Sequence, residues 1–426
     1  MSARTRAAVP AAPALSRVLD RALRSLLTAL LVALMISITV VGVVTGLLIV
    51  VSLLRLFDPV SRQRDRAPLG WPLLAFAVVT LVSALASDHR GAALFESKQL
   101  LGIALFVSAV NGFRDGDDVR RALRWLFVVV GLVSVYGIVQ AWACTSQVAL
   151  PDWAGWALRV KLEACRVSPM FRAKAFFSIY MTLGGSLLIC LALMLARVAT
   201  GPWTLGALEI VAGVPALAAL ALTYVRNAWL GLGAAVLIVS GFTRRHALVL
   251  GLVLAVMIAL SVPSAFQRRA LSIVDPADPT SRERLYFWHA GWRMVQDAPV
   301  LGLGPGGVKR HYPEYRDPAA RRPATGHLHN NLVQIAAERG GLGLAAWLSI
   351  WIAFFVRAGR IYGRLSAARA DDRALVLGSL AAVAGFLVAG LFEYNFGDSE
   401  VIGLTWVVMA FPFVVDPAHA LAAHQE

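Results

Sequence analysis

Charge is what this 426-residue chain has least of: Asp, Glu, Lys and Arg make up 15% of it, against 58% hydrophobic residues, and its mean hydropathy is +0.68. Soluble domains carry nearer a quarter of charged residues, so a water-soluble reading is excluded. Cysteine is scarce as well. Cys144, Cys165 and Cys190 show no Cys/His zinc spacing. Cys144 and Cys165 fall in one loop, where a disulfide stays an open alternative, and Cys190 is expected as a small apolar residue inside a helix. No repeat of 20 to 50 residues is present, which excludes a solenoid. The glycine run Gly302-Leu-Gly304-Pro-Gly306-Gly307 lacks the order of a nucleotide-binding P-loop and reads as a turn.

What the chain does have is long apolar runs. About 20 apolar residues span a bilayer, and candidates lie at 26–54, 71–86, 99–112, 125–142, 176–196, 204–223, 228–242, 247–263, 341–356, 374–392 and 401–415. The first is long enough for two short helices, and arginines flank it on both sides: Arg17, Arg21 and Arg24 before, Arg55, Arg62, Arg64 and Arg66 after. Arginine marks cytoplasmic loops, so 26–54 is expected to be a helical hairpin broken near Gly42 to Gly46. The expected fold is therefore an all-α polytopic membrane protein of about twelve spans. Residues 1–25 and 416–426 form cytoplasmic tails, nine spans occupy 26–263, three occupy 341–415, and 264–340 is a large external loop with short amphipathic helices. The run is too long for a cleaved signal peptide and is read as retained.

The external loops depart from the usual charge pattern. Residues 264–340 hold eleven Lys and Arg against seven carboxylates, and 143–175 hold five against two. Long loops cross the membrane largely regardless of charge, so this basicity has a bland reading. The sharper one is a phosphate-rich anion, because guanidinium forks match phosphate oxygens. Nucleic acid is not expected on that side; lipid phosphates and lipid-linked pyrophosphates are.

The segment HLHNNLVQIAAERGGLGL, residues 327–344, narrows this reading. His329-Asn330, nine residues, then Gly340-x-x-Gly343 resembles the signature of bacterial O-antigen ligases. Arg284-Leu-Tyr-Phe-Trp288 with Pro299-x-x-Gly302-x-Gly304, Arg172-Ala-Lys174-Ala-Phe-Phe-Ser178, and Thr223-Tyr-Val-Arg226-Asn-Ala-Trp229 resemble further stretches of the O-antigen ligase and polymerase superfamily, in the expected order. Lys174-Ala175 departs from the glycine often found there.

This resemblance implies a glycosyltransferase of the Gram-negative inner membrane with a periplasmic active site. Its donor would be polysaccharide on undecaprenyl pyrophosphate and its acceptor the lipid A core, with membrane lipids around it and no cofactor, metal or nucleic acid. His329 would be the general base and His327 a secondary candidate. Arg226, Arg284, Arg172 and Lys174 would bind pyrophosphate, and Asn330, Gly340 and Gly343 would complete the motif. The chemistry suits these residue types: an imidazole titrates near 6.5 and is largely neutral near pH 7, while guanidinium groups stabilise charge on a leaving oxygen. His329 precedes a segment read as a short amphipathic helix, whose positive end favours anions. The competing reading makes His329 a mere cap. No carboxylate lies near the two histidines at a metal-site spacing in sequence, and Glu393 and Asp398, bordering the last external turn, are candidates to orient a catalytic group or the acceptor. Alternatives are an O-antigen polymerase, a protein O-oligosaccharyltransferase, or a non-enzymatic transporter of a polyanionic lipid. The transporter needs charged or broken helices at midplane, and most runs here are uncharged at their centres.

Overall fold

The computed structural model describes residues 14–146, 172–200, 207–244, 251, 265–272, 275 and 278–418. All but one residue of the expected span 247–263 falls outside these, as do Cys165 and the side chain of Cys144. Among the described residues the chain is helical and has no strand. In order the helices are α1 (Ala14–Ala33), α2 (Ile38–Phe57), α3 (Pro59–Arg64), α4 (Gly70–Ala86), α5 (Arg90–Glu96), α6 (Leu101–Gly112), α7 (Gly116–Ser146), α8 (Tyr180–Thr200), α9 (Ala207–Leu222), α10 (Arg226–Thr243), α11 (Ala265–Leu271), α12 (Pro279–Asp297), α13 (Gly307–Tyr315), α14 (Asn331–Arg364), α15 (Ala370–Ala389) and α16 (Ser399–Val414). Among the described residues six helical stretches are long and apolar enough to cross a membrane, and α4, α9 and α16 are shorter apolar helices. In lipid every backbone N–H and C=O must be satisfied internally, and helices do that within one segment. The chain is an all-α polytopic membrane protein.

The first apolar run does split in two, but the break falls at residues 34–37 rather than at the glycines. Ser37 is extended there (φ −156°). Helix α1 begins early, at Ala14, and buries Leu19, Leu23, Leu27 and Leu30 at helical spacing. Its twenty residues end before Gly42 and Gly46, which sit inside α2 with open space around them.

Helix α15 lies at the centre, packed on α8 and α10. Its closest crossing is glycine on glycine: a Cβ at Gly231 would stand 2.6 Å from the Gly385 carbonyl, and one at Gly385 2.8 Å from that of Gly231. Small residues let membrane helices approach this closely. At one end of the bundle arginines pair with carboxylates, Arg120 with Asp372 at 3.0 Å and Arg197 with Asp371 at 2.6 Å. The opposite ends of α8 and α15 carry the candidate site.

There α12 and α13 fold over the start of α14 around Phe287, Met294, Tyr312 and Leu328. Helix α14 is interrupted at Gly340 (φ 65°, ψ −171°), where the 299–304 segment docks. Gly341 donates to the Pro299 carbonyl (2.8 Å), and Leu303 and Gly304 donate to those of Ala337 (3.0 Å) and Glu338 (2.9 Å). The left-handed φ, and the Val300 carbonyl oxygen that a Cβ would collide with, leave no room for a side chain at Gly340. The part of α14 before this break, expected as a short amphipathic helix, buries polar side chains as well: Gln334, Glu338 and Arg339 are all inside. Arg339 reaches Glu338, Thr80 and Gln99, passing over Gly343, where a side chain would collide with it.

Candidate active site

His329 stands immediately before Asn330, the N-cap of α14, in an unusual backbone conformation, φ 52°. Its neighbours hold it there. Asn330 caps α14, accepting from the Val333 N–H (3.1 Å) and donating to the Leu391 carbonyl (2.9 Å). The Leu328 N–H donates to Gln334 (2.8 Å). Asn331 donates to Asn395 (2.6 Å) and its backbone N–H to the Gly390 carbonyl (2.7 Å). The cap therefore belongs to Asn330, and His329 is free of that task. A non-glycine residue kept at positive φ by such a lattice is the kind of strain that concentrates at functional sites.

The same bonds tie the histidine segment to the turn between α15 and α16, and that turn delivers Glu393. Its carboxylate oxygens lie 2.9 and 3.0 Å from Nδ1 of His329 and 3.5 Å from Nδ1 of His327. Arg284 stands 3.8 Å away. Burial works to raise the Glu393 carboxyl, but the His329 hydrogen bond and the surrounding positive groups outweigh it and hold the carboxyl below its ordinary range. Burial pushes His327 down to about 4, so it is neutral near pH 7. The His329 ring is sandwiched, stacked on Phe287 at 5.4 Å and edge-on to His327 at 4.2 Å.

His329 also lines a cavity of about 280 Å³. Arg172, Arg226, Arg269, Arg284, Arg321 and Arg322 line it too, so three of the four predicted phosphate-binding residues meet His329 there. Lys174 does not line it; its backbone N–H donates to Gln140 (3.0 Å). The arginines differ in engagement. Arg226 is buried, and its terminal nitrogens bond Ser272 (2.5 and 2.7 Å) and Thr280 (2.9 Å), with Asp278 at 3.4 Å. It thereby anchors the start of α12, where Asp278 caps the helix. Arg172 lies over the Tyr180 ring at 4.3 Å, and its Nε is buried with no hydrogen-bond partner among the described residues. Burial and the neighbouring arginines lower Arg269 to about 10, still charged at neutral pH. Arg321 and Arg322 are placed by Glu283, whose carboxylate accepts both their backbone N–H groups (3.1 and 3.0 Å). Arg269, Arg321 and Arg322 were visible in the sequence only as loop charge.

His327, His329 and Glu393 have ligand atoms within 4.8 Å of one another, a spacing that could hold a metal ion. The carboxylate that sequence spacing did not supply thus comes from another part of the chain. The surroundings weigh against a cation: Glu393 is already hydrogen-bonded to His329, and the adjoining cavity is lined with guanidinium groups.

A bundle of apolar helices whose His–Glu pair adjoins an arginine-lined cavity defines a broad class: all-α membrane proteins with a cationic cavity edged by histidine. Comparison with known proteins narrows it. Residues 211–348, the stretch containing Arg226, Arg284 and His329, match the family model described as O-antigen ligase. Two proteins, each named "Putative polysaccharide ligase", are similar to it: one of Rickettsia prowazekii, 26% identical over 147 residues, and one of Rickettsia typhi, 25% identical over 146. Each match covers 33% of this chain and 34% of the relative, so about a third of those proteins' length is spanned.

Proposed function

We propose that this protein is an O-antigen ligase, transferring polysaccharide from undecaprenyl pyrophosphate to a sugar hydroxyl of the lipid A core without nucleotide or metal. The observation that carries the reading is the convergence of Arg172, Arg226 and Arg284 with the Glu393-bound His329 around one cavity. With Nδ1–H donated to Glu393, the neutral ring keeps the lone pair of Nε2. The acceptor oxygen attacks the anomeric carbon of the donor, its proton passes to Nε2, and the bond from that carbon to the pyrophosphate breaks. The departing oxygen takes the electron pair and its charge is met by arginine. Arg284 and Arg172 make direct contacts first, while Arg226, tied to Ser272 and Thr280, adds charge and fixes α12.

The site faces the periplasm and both termini the cytoplasm in this reading. Its support is the arginine-rich end of the bundle opposite the site, as expected for a cytoplasmic face. A deletion strain tests the acceptor. Loss of a ligase leaves lipopolysaccharide with no O-antigen attached, whereas loss of a polymerase leaves single-unit caps, and the latter pattern would replace the ligase reading.

A further inference from the structure

A second cavity, of about 650 Å³, adjoins the His329–Glu393 pair. Its volume falls within the range of about 300–1,000 Å³ typical of ligand pockets. Glu393 and His327 form part of its wall, and Met181 and Asn227 line both cavities. Its chemistry differs from that of its neighbour. In place of a ring of guanidinium groups it has a wall of mixed character: the carboxylates of Glu96 and Asp398, the cations of Lys309 and Arg310, the Gln99 amide and the Tyr394 ring. Mixed donors and acceptors beside an aromatic edge suit sugar hydroxyls, each of which both donates and accepts. Independently, Nδ1 of His327 is buried with no hydrogen-bond partner among the described residues, its nearest Glu393 oxygen standing at 3.5 Å. Burial keeps this imidazole neutral, able to accept from one hydroxyl or donate to another.

We propose that this second cavity is the acceptor site, and that it takes a hydroxyl-rich oligosaccharide whose attacking hydroxyl reaches His329 past Met181 and Asn227. The inference rests on the ligase reading and assigns the two substrates to two cavities that adjoin one His–Glu pair.

The test uses the purified full-length protein and a diazirine-tagged core oligosaccharide released from lipid A. Two variants fill the cavity without touching His329, Glu393 or the arginines: Gly326→Trp, at a position with open space around it, and Lys309→Trp, at an exposed one. Photolabelling is expected near residues 306–310 and 394–398, to fall at least fivefold in either variant, and to survive excess inorganic pyrophosphate. In transfer assays the acceptor KM rises at least tenfold while the donor KM stays within twofold. Labelling confined to the arginine cavity and displaced by pyrophosphate, labelling indifferent to both variants, or no labelling would overturn the assignment. Cavity labelling in a wild-type protein that never transfers would keep a sugar site and sink the ligase reading instead.

Discussion

Glu393 Oε2 lies 2.9 Å from Nδ1 of His329, although 64 positions separate the two residues. The contact is made by a lattice rather than by chance proximity of two loops. Asn330 and Asn331 each reach the 390–395 turn, so displacing the backbone that carries Glu393 must break hydrogen bonds made by the two residues after the histidine. In the proposed ligase the pair fixes one imidazole nitrogen and leaves the other to take the acceptor proton, and a carboxylate in that place would stabilise the resulting imidazolium.

Removing the charge while keeping the shape tests this role. Glu393→Gln is expected to lower turnover roughly 100-fold with little change in either KM, because an amide in place of the carboxylate no longer stabilises the imidazolium that proton transfer would create. A turnover within twofold of wild type would show that Glu393 does not act through His329.

Arginine variants should fall into two kinds. Arg284→Ala removes a side chain whose ion pair among the described residues is with Glu393 at 3.8 Å, and the donor KM is expected to rise roughly 10- to 100-fold, the worth of a charge-assisted hydrogen bond. Arg226→Ala also unties Ser272, Thr280 and Asp278, so a lower melting temperature should accompany its loss of activity. Arg226→Lys cannot reproduce the fork and should rescue neither. Equal thermal stability of Arg226→Ala and Arg284→Ala would contradict this division.

Gly340→Ala forces a side chain into a left-handed backbone position already occupied by the Val300 carbonyl. The backbone strain alone costs about 1–3 kcal/mol, and the 299–304 segment must move as well. A clear drop in the melting temperature of detergent-solubilised protein is expected, and none would mean that the kink is not needed.

Stability should also depend on pH through His327. Its folded value of about 4 lies below its ordinary 6.5, so between these limits the unfolded chain binds the extra proton. Stability therefore falls as pH drops from about 6.5 to about 4, and the loss is complete below that. His327→Asn removes this contribution. Thermal midpoints between pH 7 and pH 4 should fall more steeply for wild type than for the variant, and parallel slopes would refute the argument.

Much of this was legible in the sequence, for reasons that differ by residue. Apolar runs announce themselves because lipid imposes a length, and the fold class followed. The motif around His329, with Arg172, Arg226 and Arg284, could be read because each sits in a locally patterned stretch. Glu393 could be marked only as a bordering carboxylate, because its partner is chosen by the Asn331–Gly390 and Asn330–Leu391 contacts, which no spacing encodes. Arg321 and Arg322 were hidden in loop charge, since Glu283 holds their backbone and not their side chains. The break after α1 was misplaced because glycine breaks helices in water, whereas inside a membrane helix the backbone has no other partner to turn to.

The most direct test of the central claim is transfer by the purified protein from undecaprenyl-pyrophosphate-linked O-antigen to lipid A core, in EDTA and without ATP, comparing wild type with His329→Ala. Wild type is expected to yield ligated product, and a folded His329→Ala roughly 100- to 10,000-fold less. Wild-type product lost on chelation, or a variant as active as wild type, would contradict the account of a metal-free transferase with His329 as its base.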